Sequence, residues 1–166
     1  MKNIIKAALL TTLLLTACAP VPKNRQEFIS AVSAGSTFTR HESFASDKGY
    51  DKVVALMQKK CEQCLDVTVK KSMMDGAYLN VSRSIYLPSF VRNGNSAEFT
   101  LRVKYLPRPT REPDGGIYLV AADIAKSGTK GAQIDLYGPD MMGYGGMMDA
   151  IRGWLAGNDL ACPKLH

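Results

Sequence analysis

The stretch Tyr78–Leu106, YLNVSRSIYLPSFVRNGNSAEFTLRVKYL, decides the fold. Its two arms, Tyr78–Val91 and Ala97–Leu106, are rich in β-branched and aromatic residues, which suit a pleated, half-buried surface. Between them lies Arg92-Asn93-Gly94-Asn95. Asn-Gly accepts the left-handed backbone of a tight hairpin, so the stretch predicts two long antiparallel strands. Outward from it the period stays near two. Asp66–Lys70 reads as a strand and Asp75-Gly76 as another hairpin turn. Pro107, Pro109, Pro113 and Gly115-Gly116 mark a loop, and Ile117–Ile124 and Ala132–Tyr137 are two further strands around Ser127-Gly128. Consecutive strands joined by short turns predict an antiparallel meander.

The flanks change period. Tyr50, Val53, Val54, Met57, Cys61 and Cys64 recur at steps of three and four, with Lys52, Gln58, Lys59, Lys60 and Glu62 between them. This spacing predicts an amphipathic helix over 47–65, capped by Ser46 or Asp47. Before it, Arg25–Val32 reads as a short helix between Asn24 as N-cap and Gly35, and Thr37–Phe44 as a strand. At the other end Pro139-Asp140 opens a helix with Tyr144, Met147, Met148, Ile151, Trp154 and Leu155 on one face, stopped by Gly157. The fold class is α+β: an antiparallel sheet of about six strands, one face covered by a long N-terminal and a C-terminal helix. This order resembles the helix-grip architecture of the START/Bet v1 superfamily. It departs from that pattern by one strand and by having one helix, where the family has two, after the first strand. The resemblance implies space for an apolar ligand between sheet and C-terminal helix; a generic two-layer α/β sandwich is the alternative.

Residues 1–17 carry Lys2 and Lys6, an apolar run from Ala7 to Leu15, and then Leu15-Thr16-Ala17-Cys18. A charged start, a short apolar run and a small-residue cleavage site make a secretory signal. The run is short for a bilayer span, which takes about 20 apolar residues. Leu15-Thr16-Ala17-Cys18 resembles the lipobox of bacterial lipoprotein precursors. That resemblance implies cleavage before Cys18, diacylglycerol on its sulfur and an acyl chain, such as palmitate, on its new amino group. Residues 18–24 then form a short tether and 25–166 a single domain. Ala19 stands where an aspartate would favour the inner membrane in enterobacterial lipoproteins. The resemblance therefore implies an outer-membrane anchor with the domain facing the periplasm.

The formal charge of +6 falls to about +4 without Lys2 and Lys6. The basic residues, among them Lys59-Lys60, Lys70-Lys71, Arg102, Lys104, Arg108 and Arg111, are spread out, so no nucleic-acid partner is expected. A mildly basic surface suits anionic lipid headgroups or lipopolysaccharide instead.

With Cys18 lipidated, Cys61, Cys64 and Cys162 remain. An oxidising compartment predicts a disulfide from Cys162 to a helix cysteine: Cys64, at the helix end, or alternatively Cys61. The Cys61–Cys64 pair closes a helix C-terminus, whose partial negative charge disfavours a redox thiolate. Cys61, Cys64, Cys162 and His166 also have the ligand types and spacings of a structural zinc site. Met141, Met142, Met147 and Met148 resemble a Cu(I)-binding methionine run, although Met147 and Met148 lie on the apolar helix face. Oxidising conditions remove thiolate ligands, so no metal and no cofactor is expected.

For catalysis, His41 and Glu42 are neighbours on a strand and point to opposite faces. Asp123, Asp135 and Asp140 have no partner pattern, and no nucleophile elbow, zinc-protease pair or phosphate loop occurs. The expectation is a non-enzymatic envelope lipoprotein, a binding or accessory module for a small apolar ligand. One alternative is a subunit of a larger envelope assembly with a protein partner docked at Arg108-Pro109-Thr110-Arg111 or at a strand edge. A zinc- or copper-binding periplasmic module is the other.

Overall fold

Asn93 and Ser96 close the central hairpin, and pairing continues without a break to Arg83 opposite Leu106. The computed structural model describes residues 20–75, 78–129 and 131–166. In chain order the elements are α1 (Arg25–Ser33), β1 (Thr39–Ser46), α2 (Tyr50–Lys60) with a π-helical turn (Cys61–Leu65), β2 (Thr68–Asp75), β3 (Tyr78–Asn93), β4 (Ser96–Leu106), β5 (Ile117–Ser127), β6 (Gly131–Pro139) and α3 (Gly145–Leu155). The fold is α+β with one six-stranded antiparallel sheet and three helices, in strand order β1-β6-β5-β4-β3-β2. The first strand thus returns beside the last, and α2 leads from one edge strand to the other. Pro88 fits within β3 because β2 stops pairing at Ile85, leaving β3 as the sheet's edge there.

Alternation sorts the sheet into two faces. Phe99, Leu101, Val103, Ile124, Ile134 and Leu136 are buried on one, packed with Val53, Met57 and Leu65 of the α2 segment and Met148, Ile151 and Trp154 of α3. Gly138 allows the close approach of α3: a Cβ there would sit 2.6 Å from Met148 Sδ. The other face is not bare, contrary to the expectation of one covered face. Phe28, Ile29 and Val32 of α1 form a second cluster there with Ala121 and Tyr137. α1 spans only two and a half turns, so its apolar stripe needs that sheet surface to be stable.

Several boundaries move for identifiable reasons. α2 begins at Tyr50 behind Gly49, and neither Ser46 nor Asp47 caps it. The Ser46 hydroxyl instead donates to the Ala156 carbonyl at 3.0 Å, tying β1 to the end of α3. β1 starts at Thr39 because Phe38 takes a left-handed φ of 63°, which breaks an extended run. Pro139 ends β6 rather than opening α3, and Gly143 at φ 94° turns the chain into the helix. No helix among the described residues is long and apolar enough to cross a membrane.

Candidate functional site

Beyond α3 the tail is held at successive points. The buried Lys60 ammonium donates to the Leu160 carbonyl and to Asp159 Oδ1, each at 2.6 Å. Trp154 Nε1 donates to the same Leu160 carbonyl at 3.0 Å. Cys64 and Cys162 form a disulfide with Cα atoms 5.2 Å apart, so of the two partners left open for Cys162 it is Cys64 that bonds. The Tyr86 hydroxyl donates to the His166 carbonyl at 2.8 Å, and Leu165 packs on the core.

The fixed tail walls one side of a cleft of about 360 Å³ between the sheet and the N-terminal end of α3. Tyr86 on β3, Tyr105 on β4 and Tyr144 just ahead of α3 line it, with Met147 and Leu165 as apolar surface. Exposed Lys71, Arg83 and Lys164 lie on it too. Burial pushes the Tyr86 and Tyr105 phenols above the ordinary range, and for Tyr105 a hydrogen bond with Tyr144 adds to the effect. Both therefore remain neutral at physiological pH. The cleft offers phenolic hydroxyls, apolar walls and three cations, a combination that suits a small amphiphile with an acidic head. Under the middle of α3 the interface is filled instead, since Trp154, Ile151 and Met148 are buried against the sheet.

The other candidate residues do not converge on chemistry. Cys61 is buried and free, and its thiol is pushed up to about 12, chiefly by burial and then by Glu62. A thiol so protonated is a poor redox nucleophile. With Cys64 and Cys162 bonded to each other, the zinc set loses two thiolates. Among the described residues, no three His, Cys, Asp or Glu side chains are placed to share a metal ion. The methionine run splits: Met141 and Met142 are exposed, while Met147 and Met148 are core. Arg108 of the basic loop donates to the Glu112 carbonyl at 2.6 Å and to Asp114 at 2.7 Å, so that loop folds onto itself. Cys18 lies outside the described residues.

One cluster escaped the sequence reading. On the α1 side of the sheet, His41 Nε2 sits 3.2 Å from Asp135 Oδ1 and 3.3 Å from Ser43 Oγ, and the imidazole stacks on Tyr137 at 4.3 Å. Histidine and serine two apart on one strand were visible, but Asp135 joins only through the β1–β6 register. Serine, histidine and aspartate in contact invite comparison with a hydrolase triad. Here both partners meet the same imidazole nitrogen, and Ser43 also bonds Asp135 directly. A triad needs its carboxylate on one ring nitrogen and its nucleophile on the other. The cluster is a polar lattice on an open sheet face. Arg25 similarly bridges Asp123 Oδ1 at 2.6 Å and Glu98 at 3.7 Å, docking α1.

No family model matches the chain, and no curated protein matches it.

Proposed function

We propose that the chain is an envelope lipoprotein, anchored through Cys18 to the periplasmic face of the outer membrane, that acts without catalysis as a binding module for a small amphiphile. The observation that carries this reading is the cleft, whose volume is in the range of ligand sites and whose walls pair phenols and apolar groups with Lys71, Arg83 and Lys164. The helix-grip resemblance gains support from β1 pairing with β6 while α2 leads to the far edge. The filled interface beneath Trp154 counts against the apolar-ligand space that the resemblance implies there, so the proposed site is instead the separate cleft at the Tyr144 end of α3.

Titration calorimetry with dodecanoate, on a chain beginning at Ala19, tests the cleft. All described elements and both buried clusters lie within residues 24–166, so such a chain retains the fold. Dodecanoate binds; Ser84→Trp, which puts a large ring into the half-buried lining, abolishes the heat. Lys71→Glu with Lys164→Glu weakens dodecanoate about tenfold and leaves dodecanol unchanged. Absence of dodecanoate binding, or full binding by Ser84→Trp, overturns the proposal.

A further inference from the structure

The β2–β3 ribbon runs on past the body of the sheet. β4 ends at Leu106, opposite Arg83, so Tyr78–Ser82 and their β2 partners have no third strand. Five residues of unaccompanied strand project about 16 Å. A two-stranded ribbon is marginal in water without an apolar surface to lie against. This one carries Met73, Met74, Tyr78, Leu79 and Val81, all between 48% and 77% exposed. They wrap both faces, since Met74 stands opposite Leu79 on one side while Met73 faces the other.

Behind the apolar tip comes a basic collar. Lys70 and Arg83 are directly opposite in register, and Lys71 follows on the other face. Like charges across a strand pair repel unless an anion sits between them. Among the described residues none of the three forms an ion pair, and Asp75 at the turn is the one acidic residue of 68–85. Edge lysines alone would be a guard against strand addition. Five bare apolar side chains beyond them are not.

The chain's own anchor names the occupant. Pro20 and Val21 share a surface hollow with Arg108, Arg111 and Pro113 of the β4–β5 loop. Pro107, where that loop starts, shares another with Lys70, Lys71, Met73 and Val81. Only Ala19 separates Pro20 from Cys18, a reach of about 7 Å. A lipid on Cys18 therefore brings the bilayer to the end of the molecule where the ribbon projects.

We propose that the β2–β3 tip is a second membrane contact, seating Met73, Met74, Tyr78, Leu79 and Val81 in the interfacial layer while Lys70, Lys71 and Arg83 meet anionic headgroups. It rests on the reading of Cys18 as lipidated, and it gives the domain a fixed stance where the tether alone would give a swivel. Amphipathic tips of this kind bind by apolar burial plus attraction to anionic lipid, each basic residue adding about fivefold.

Co-sedimentation with vesicles tests it, using the anchor-free chain from Ala19 and an equimolar mixture of phosphatidylglycerol and phosphatidylethanolamine. The wild-type chain binds. Met74→Asp with Leu79→Asp lowers the partition coefficient about tenfold or more, with near-UV circular dichroism unchanged because both side chains are exposed. Lys70→Glu with Arg83→Glu does the same and removes the preference over phosphatidylcholine. Val91→Asp, at an exposed position near the other end of β3, leaves binding intact. Equal binding by the wild type and the Met74/Leu79 variant overturns the proposal. So does a tip substitution that changes the sedimentation-velocity mass instead of vesicle binding, which would make a second copy the occupant. Labelled palmitate in the full chain, against Cys18→Ser, tests the anchor separately: tip-dependent binding without palmitate incorporation would sink the anchor alone.

Discussion

Cys61 is held at 5% exposure on the core side of the π-helical turn, with its thiol raised from about 9 to about 12. Tyr86, Tyr105 and Tyr137 are raised as well, each chiefly by burial. The sign of the resulting pH dependence follows from proton counting. Above the ordinary thiol value the unfolded chain has lost a proton that the folded chain keeps, so stability falls as pH rises. The contribution is whole below about pH 8.5 and drains away toward pH 12. Unfolding free energies from urea titration at pH 8 and pH 10 should differ by on the order of 1–2 kcal/mol more in the wild type than in Cys61→Ala. Equal differences would place the Cys61 thiolate in water. A thiol reagent gives the companion reading, with reaction only after denaturant is added.

At the scale of elements, the C-terminal tail depends most on a single bond. The disulfide closes a separation of 98 residues, for which the chain-entropy model gives about 4–5 kcal/mol. Cys162→Ser should therefore lower stability by an amount of that order in denaturant titration, and should also open the cleft, because Lys164–His166 form its wall. Cys61→Ser should leave the bond intact. A Cys162→Ser chain that kept both its midpoint and dodecanoate binding would show the tail to be held by Lys60, Trp154 and Tyr86 alone. What was legible in advance divides along the same line. The Asn93-Gly94 turn, the period-two strands and the α2 stripe are local patterns, and a bond from Cys162 to the end of one helix could be expected, with Cys64 preferred and Cys61 left open. The cleft was not legible, since Tyr86, Tyr105, Tyr144 and the tail come from four separate segments and meet only through the β3–β4 register and the seat of α3. The place of α1 was hidden for a related reason: its three apolar residues could cover either face, and the packing on Ala121 and Tyr137, with the Arg25 bridge to Asp123 and Glu98, comes from segments far along the chain.

At the scale of the molecule, the proposed cleft, ribbon and anchor gather at one end. The cleft includes Leu106 and Pro107, the ribbon starts beside them, and Pro20 lies against the same loop. The opposite end is polar and tied inward: Arg92 pairs with Asp51, and the Lys126 amide donates to the Asn95 carbonyl at 2.8 Å. From Tyr78 to Asn93 β3 extends about 50 Å along its strand, about twice the extended reach of a seven-residue tether and far beyond a Debye length of about 8–10 Å. Anchored through Cys18 and seated on its ribbon, the domain would stand with the cleft mouth near the headgroups, where an amphiphile can pass between bilayer and protein without crossing water. That stance is measurable. In vesicles containing brominated lipid, a fluorophore on Asn80→Cys should be strongly quenched and one on Asn95→Cys should not, both positions being exposed and Cys61 too buried to take the label. Met74→Asp with Leu79→Asp in the lipidated chain should abolish the difference while the protein stays on the membrane, because the anchor survives and only the stance is lost. Equal quenching at the two positions in the unaltered chain would mean a domain tumbling on its tether, with the ribbon turned to some other surface.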